Sequence, residues 1–188
     1  MQLASLPGLL YRISTAPDSG VVPVVSRSGG RVSVRLRSTG RDGLDEVRIV
    51  LNRDVRWDIR LPAGAGEQQL LLRQGRVTRV DLGASGLAEL SLPDPEGTVP
   101  VTFVGGIGTA VVIARTAAPF KIRFDQGAGA VTAPWAVNNG TAAGTVLRER
   151  GYARAEDRYL LRAKGGLGSL TLRRPARDLS AGVGPRGG

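Results

Sequence analysis

The side chains of this sequence that could carry out acid–base chemistry are few and lie apart. Asp81, Asp125 and Arg123 are the group that a polysaccharide-cleaving enzyme built from stacked β-coils would need to bring together. They fall on turn flanks and outward positions of the pattern described below, with no second acid at matching phase. We therefore expect solvated turn residues, and we assign no catalytic residue and no enzyme activity.

Metal and cofactor chemistry find little support in the composition. The chain has no histidine and no cysteine, which removes the commonest general base, disulfides, thiolate nucleophiles and the usual zinc ligands. Aspartate does not recur once per repeat, as calcium-binding repeats require. We expect no metal site and no cofactor.

Gly105-Gly106-Ile107-Gly108 has the composition of a phosphate-binding loop. Such a loop needs a following helix, whose N-terminus meets the phosphate. The residues after Gly108 alternate as a β-strand does, so the sequence predicts a turn instead.

The basic residues form the other candidate group. Net charge is +10, and 24 of the 26 basic residues are arginine, a bias typical of a GC-rich genome that we take to indicate an actinobacterial source. Tyr152 and Tyr159 are the only aromatics near the late cluster, and acids interrupt it, so we expect a solvated face. The alternative is a binder of nucleic acid or an anionic surface through the arginine-rich region 148–177. The arginines in question are Arg148, Arg150, Arg154, Arg158, Arg162, Arg173 and Arg174.

A repeat of about 21 residues organises the elements that would position these side chains. Four glycines mark it, with steps of 20, 22 and 21 residues: Gly66, Gly86, Gly108 and Gly129. Residues two, four and six places after each are mostly apolar, and Gly30 and Gly168 are followed by the same pattern. Alternation with period two on both sides of a glycine predicts two short strands joined by a tight turn.

The constant step favours an all-β fold of stacked short-strand coils, β-solenoid-like and of the single-stranded right-handed β-helix type, in which each coil covers the next. A β-sandwich of ordinary hairpins is the alternative. The phase predicts that Leu90, Leu92, Val112, Val131 and Leu172 are buried. It also predicts that Glu89, Ser91 and Thr132 are exposed.

One strand departs from the pattern, because Val111 and Ile113 occupy its outward positions. A strand that is apolar on both faces needs a cover. We expect residues 136–158 or a partner to supply it, so these two side chains join the arginines as candidate interaction residues.

The predicted organisation is a loose lead-in at 1–9, one β-repeat domain at 10–174 with an insertion at 136–158, and a disordered tail at 175–188. No stretch reaches the roughly 18 uncharged apolar residues of a membrane helix. The sequence leaves the location open: cytoplasmic as written, or the cell envelope if the chain is a fragment lacking its anchor or signal.

Residues 159–172 (YLLRAKGGLGSLTL) carry a resemblance to a known class. An apolar strand, a Gly-x-Gly-Ser turn and an alternating strand resemble the closing coil of the toastrack, adhesin-type class of bacterial β-repeat domains. The pairs Gly64/Gly66, Gly106/Gly108 and Gly127/Gly129 are similar to its internal turns. The resemblance implies a non-catalytic, envelope-associated or adhesin-like interaction domain that binds a protein partner or its own copy.

Overall fold

The structure is a computed structural model that describes residues 1–174. The regular secondary structure within these residues consists of β-strands. The all-β prediction is confirmed, while the predicted tail at 175–188 lies outside the described residues. In chain order the strands are β1 (Gln2–Ala4), β2 (Tyr11–Thr15), β3 (Val21–Ser28), β4 (Arg31–Ser38), β5 (Val47–Asn52), β6 (Arg56–Leu61), β7 (Ala65–Leu71), β8 (Arg76–Leu82), β9 (Ser85–Leu92), β10 (Thr98–Phe103), β11 (Ile107–Ala114), β12 (Phe120–Phe124), β13 (Ala128–Ala133), β14 (Ala136–Thr141), β15 (Val146–Arg148), β16 (Arg158–Ala163) and β17 (Leu167–Arg173).

Two sheets contain all but two of these strands. The long sheet has nine strands in the order β14-β13-β17-β11-β9-β7-β1-β5-β2, and the short sheet has six in the order β15-β12-β16-β10-β8-β6. β14, β15 and β2 join antiparallel at outer edges, and the other pairings within these two sheets are parallel. β3 and β4 form a separate antiparallel hairpin.

The core lies between the two sheets. From β6 to β13 the chain passes from one sheet to the other at every strand, and β16 and β17 repeat the step. Leu82 and Phe103 of the short sheet and Leu90 and Val112 of the long sheet all have 0% exposure and belong to one apolar cluster. The sheets thus pack face to face, as in a sandwich, while their strands run parallel, as in stacked coils.

The predicted phase holds throughout the long sheet. Exposure of the five residues predicted to be buried is 3% or less: Leu90, Leu92, Val112, Val131 and Leu172. Thr132 is exposed, and Glu89 and Ser91 are intermediate, so the two sets do not mix. Because side chains alternate strictly between the two faces of a strand, assigning one residue to the correct face assigns all the others in that strand.

The repeat glycines form a ladder across five neighbouring strands. The register aligns them in the spatial order Gly66, Gly86, Gly108, Gly168, Gly129. A Cβ on Gly86 would lie 2.9 Å from the carbonyl oxygen of Gly66, and one on Gly108 would lie 2.6 Å from that of Gly86. Glycine is therefore required by the close approach of backbones, and not by a left-handed conformation, at every ladder position except Gly66, where a Cβ would meet nothing within 4 Å.

The chain order breaks at the C-terminal end. β16 lies between β10 and β12, and β17 lies between β11 and β13, with parallel pairing on both sides. The last strand pair therefore fills a gap left between two earlier pairs. The step from Gly129 to Gly168 is 39 residues long because the chain first forms β14 and β15 at the edges of the sheets and then returns to pair between earlier strands.

The region around Gly30 is not a coil of the repeat, and that prediction is wrong. Gly29 and Gly30 have φ angles of 53° and 75° and link β3 to β4 through a two-residue turn. Two consecutive residues with positive φ match the twist of an antiparallel hairpin. β3 and β4 consequently pair with each other and stand outside both large sheets.

Residues 1–9 and 136–158 are more regular than the sequence indicates. β1 pairs in parallel with β5, and Leu3 and Leu6 are buried at 3% and 8% exposure, so the N-terminal residues are part of the core sheet. β14 and β15 pair antiparallel with β13 and β12, the last parallel strands of the two sheets. The segment 136–158 thus caps one end of the stack.

The glycine ladder predicts a position-dependent effect of a single methyl group. Gly108→Ala should lower the free energy of unfolding by about 1–3 kcal/mol, since the Cβ meets backbone that cannot move without shifting a strand. Gly66→Ala is the matched control, because a Cβ there meets nothing within 4 Å. Its stability should be unchanged or higher by up to about 1 kcal/mol. Urea unfolding measures both, and equal losses would contradict the ladder.

Candidate interaction surfaces

Three of the seven candidate arginines are held by partners within the protein. Arg158 lies with its guanidinium 5.2 Å from the centre of the Tyr152 ring and donates hydrogen bonds to Thr98 Oγ1 and the Tyr152 carbonyl, at 2.8 and 3.1 Å. Arg162 and Arg174 are bound by carboxylates, as described next. These three side chains stabilise the fold rather than offering free charge.

Arg174 connects the end of β17 to the cap. Its guanidinium donates to Glu149 at 2.7 Å and to the carbonyl oxygens of Ala118 and Thr116 at 2.8 and 3.1 Å. The same Glu149 oxygen accepts a hydrogen bond from the Phe120 amide at 2.9 Å. Both charged side chains are about one-fifth exposed, so this pair is less screened than a surface ion pair.

Asp125 is bound by two arginines. Arg162 Nε donates to one carboxylate oxygen at 2.8 Å, and Arg123 Nε donates to the other at 2.9 Å. These hydrogen bonds, that of Arg162 first, hold the pKa of Asp125 below its ordinary value. Asp81 lies on β8, three strands away from β12 in the short sheet. The acids and arginine considered for polysaccharide cleavage are therefore not gathered at one place.

Another acidic group lies near the strand ends, in an open depression lined in part by Asp94, Glu156 and Asp157. Asp157 accepts a hydrogen bond from the Gly97 amide at 2.7 Å, which assigns it to the turn. Arg123 is not among the lining residues. Among residues 1–174 no group of three histidines, cysteines or carboxylates is placed to hold a metal ion.

The remaining candidate arginines are exposed but belong to different parts of the surface. Arg148 ends β15 at the edge of the short sheet, Arg150 and Arg154 follow it in the connecting loop, and Arg173 ends β17 in the long sheet. A nucleic-acid face needs its cations along one groove. The fold does not bring these four together in one sheet.

Gly105-Gly106-Ile107-Gly108 forms a turn leading into β11, as predicted. The Ile107 amide donates to the Gly166 carbonyl at 3.1 Å, and the strand begins at that residue. A Cβ on Gly105 would lie 2.5 Å from the Ala84 amide nitrogen. The glycines thus serve the packing of neighbouring turns.

Val111 and Ile113 lie on the outward face of β11, in the middle of the long sheet. Val111 is paired with Glu89 and Thr171, and Ile113 with Ser91 and Arg173. β14 is three strands away and β15 belongs to the other sheet, so the predicted cover by these strands is wrong. Both side chains are half-buried by their neighbours in the sheet.

The outward face around these two residues is poor in charge. The central strands β7, β9, β11, β17 and β13 present fourteen side chains on it, of which three are charged. They are Glu67, Gln69, Leu71, Leu87, Glu89, Ser91, Thr109, Val111, Ile113, Ser169, Thr171, Arg173, Ala130 and Thr132. We call this set the flat face. Depletion of charge distinguishes the centre of protein interfaces from ordinary surface.

The aromatic residues mark the capped end of the core. Phe120 stacks on Tyr159 with ring centres 4.9 Å apart, and the ring centre of the half-buried Trp135 lies 6.4 Å from that of Phe120. Tyr159 Oη donates to the Pro93 carbonyl at 2.7 Å. Burial, and secondarily the charge of Asp94, raises the pKa of Tyr159. This buried hydroxyl was not predicted from the sequence.

The β3–β4 hairpin is the surface feature that sequence reasoning missed. Its base is tied, because the Thr39 amide donates to the Gly20 carbonyl at 2.8 Å and Thr39 Oγ1 donates to the carbonyl of buried Ser19 at 2.7 Å. Arg27 on β3 donates to Tyr11 Oη at 2.6 Å and lies over that ring. The Gly29-Gly30 pair between strands of equal length was the local signal that could have identified it.

Exposed apolar side chains are concentrated in and around this hairpin. Six of the ten large hydrophobic residues exposed in the described part of the chain fall between residues 9 and 44. These are Leu9, Leu10, Val24, Val25, Leu36 and Leu44, with exposures from 38% to 81%. The N-terminal end of the protein is therefore its most apolar surface.

The hairpin is also strongly basic. Residues 20–41 contain five arginines and no acid, and the five are Arg27, Arg31, Arg35, Arg37 and Arg41. Arg31 at the tip acts on β6: the pKa of Asp58 is lowered chiefly by its hydrogen bonds from Arg60, and more weakly by Arg79 and Arg31. Asp18, Asp42 and Asp45 flank the base, so the projecting part is cationic throughout.

Removing the Asp125 carboxylate should give a pH-dependent loss of stability. A lowered pKa in the folded state means that the ion pairs stabilise the fold above the ordinary aspartate pKa of about 4 and are lost as the pH falls through the lowered value. Asp125→Asn should therefore unfold at lower urea concentration than wild type at neutral pH, with the difference shrinking as the pH falls below the ordinary aspartate pKa. Asp42→Asn, exposed and of equal charge change, is the control. A difference that is constant with pH would contradict this role.

The comparisons with known proteins give a likeness of fold. No family model matches the chain, and no curated protein matches its sequence. The structure is similar to that of a putative cell adhesion protein from Clostridium sporogenes, with a TM-score of 0.62 and 15% sequence identity over 93% of this chain and 87% of that one. No helix among residues 1–174 is long and apolar enough to cross a membrane. The likeness to the C. sporogenes protein shows that the two chains share an all-β architecture.

Proposed function

We propose that this chain is a non-catalytic, adhesin-type interaction domain of the bacterial cell envelope, built as a stack of coils of the toastrack kind. The parallel, in-register pairing of strands about 21 residues apart supports the stacked arrangement. The C. sporogenes protein, whose name assigns it to cell adhesion, supports the class of function through its shared fold.

The observation that carries the proposal is the flat face at the centre of the long sheet. Although the chain has a net charge of +10, only three of the fourteen neighbouring outward side chains there are charged. Val111 lies in its middle row with Glu89 beside it, and Ile113 lies in its last row with Arg173 beside it. Such a face suits a docking partner better than it suits a substrate, because it offers area and shape but no convergent polar groups.

The partner that this face fits is a second copy of the chain. In a two-fold symmetric contact each residue meets the partner's equivalent patch, so an acid and a base that flank one apolar pair can each meet the opposite charge. Glu89 and Arg173 have that arrangement around Val111 and Ile113. Binding through the 148–177 arginines is less favoured, since three of the seven are engaged internally and Arg173 lies in the long sheet, apart from the three at the end of β15 and in the loop after it.

Sedimentation velocity tests the proposed contact. The wild type should show a concentration-dependent dimer, and Val111→Glu with Ile113→Glu should shift it to monomer. Burying even one unpaired carboxylate costs roughly 2–5 kcal/mol, so the dissociation constant should rise at least tenfold. Leu160→Glu, a half-buried outward position of the short sheet, is the control and should leave the dimer intact. A wild type that stays monomeric at its highest soluble concentration would contradict the proposal.

A further inference from the structure

The β3–β4 hairpin combines features that neither the fold nor the flat face explains. Both of its strands have eight residues, they pair along their whole length, and they belong to neither large sheet. A two-stranded ribbon alone is marginally stable in water. Here the tied base and the Arg27–Tyr11 contact hold it in place, so the ribbon is a fixed projection of the surface.

The two faces of the hairpin have different chemistry. Cross-strand pairs share a face, and consecutive pairs alternate between faces. One face carries mainly apolar residues and turns toward β2, since Arg27 of that face contacts Tyr11; its members are Val21, Pro23, Val25, Arg27, Val32, Val34 and Leu36. The other, which we call the basic face, carries Val22, Val24, Ser26, Ser28, Arg31, Ser33, Arg35 and Arg37.

Burial separates the two faces only in part, since Val25 and Arg27 of the face toward β2 are exposed, and it leaves apolar groups accessible. Arg31, Arg35 and Arg37 are exposed, whereas Val32 and Val34 are half-buried. Val24 on the basic face is 47% exposed, and Leu36 at the margin of the other face is 54% exposed. Cations and apolar side chains are thus presented together on one narrow element that contains no acid.

We infer that the β3–β4 hairpin is a docking element for an anionic phospholipid surface. Guanidinium groups bind phosphate through paired hydrogen bonds, and clustered arginines are attracted to the negative potential of anionic headgroups. Exposed Val24, which lies on the basic face beside Arg35, enters the boundary between headgroups and acyl chains, as the apolar residues of interfacial elements do. The polar tip, Ser28 to Arg31, indicates that the ribbon lies along the surface instead of inserting end-on.

Other occupants fit the hairpin less well. A ribbon face about 26 Å long and 10 Å wide covers roughly 260 Å², well below the roughly 800 Å² per partner of a stable protein interface. A nucleic-acid groove would take the arginines but gain nothing from exposed Val24, since it offers phosphates and base edges. A lipid surface uses both kinds of side chain and needs no matching shape.

Cosedimentation with vesicles tests the inference. The wild type should bind vesicles of phosphatidylcholine mixed with phosphatidylglycerol at about 0.15 M salt, and should not bind phosphatidylcholine alone. Arg31→Glu, Arg35→Glu and Arg37→Glu combined should reduce the partition coefficient by about 100-fold, at roughly fivefold for each arginine. The matched control is Arg148→Glu, Arg150→Glu and Arg154→Glu, which changes net charge from +10 to +4 in the same way and should reduce binding less than about threefold.

A second variant separates docking from simple charge attraction. Val24→Ser keeps every arginine and should still weaken binding several-fold, whereas Leu36→Ser, on the opposite face, should leave binding unchanged; unchanged binding of Val24→Ser would overturn the role of the apolar side chain. Circular dichroism and thermal melting confirm that each variant is folded. No binding to anionic vesicles, or equal losses in the two charge variants, would overturn the inference. Duplex DNA binding that depends on Arg31, Arg35 and Arg37, without vesicle binding, would assign the hairpin to nucleic acid. None of these outcomes depends on the flat face.

Discussion

The approach of neighbouring backbones at the glycine ladder is the constraint on which the rest of the structure depends. At the ladder the five parallel strands lie so close together that a Cβ would meet a carbonyl oxygen of the neighbouring strand. The distance between those two atoms would be 2.6 Å at both Gly108 and Gly129. Only glycine satisfies that geometry at each step, so the ladder sets the register of the long sheet. Register in turn decides which side chains enter the core, because a slip of one residue would turn every apolar row outward.

The last strand pair, β16 and β17, lies inside the two large sheets and does not extend them at an edge. β16 and β17 enter between strands formed earlier in the chain, and their side chains hold the two parts together. Arg162 reaches Asp125 after β12, Tyr159 stacks on Phe120, and Arg174 reaches Glu149 in the cap. Most of these contacts join residues separated by 25 or more positions, so they form only after the intervening chain is in place. Arg162 and Arg174 are thus bound to carboxylates because β16 and β17 enter between earlier strands.

The fold also separates two surfaces of different character. The flat face has shape and little charge because strands stacked in parallel present rows of small outward side chains. The hairpin has the opposite character, with arginines and apolar residues on a projecting ribbon that no other strand pairs with among the described residues. The dimer contact and the lipid contact that we propose use these two regions, which do not overlap. The positions of β11 in the middle of one sheet and of β3–β4 at the N-terminal end keep them apart.

Local periodicity was enough to predict the strands and inward rows from Gln68 to Leu172 outside residues 136–158, because alternation and turn chemistry act over a few residues. The step of about 21 residues indicated that β7, β9 and β11 are neighbours, but the sequence could not indicate where β16 and β17 pair. Any two strands of equal phase present the same backbone groups and similar apolar rows, so the return of β16 and β17 into the stack was decided only by tertiary packing. The same limit applies to the sites. Gly30 matched the repeat by the alternation of the residues that follow it, yet positive φ angles at Gly29 and Gly30 form a hairpin turn there. Arg162 and Arg174 form ion pairs with carboxylates that only the tertiary fold brings beside them.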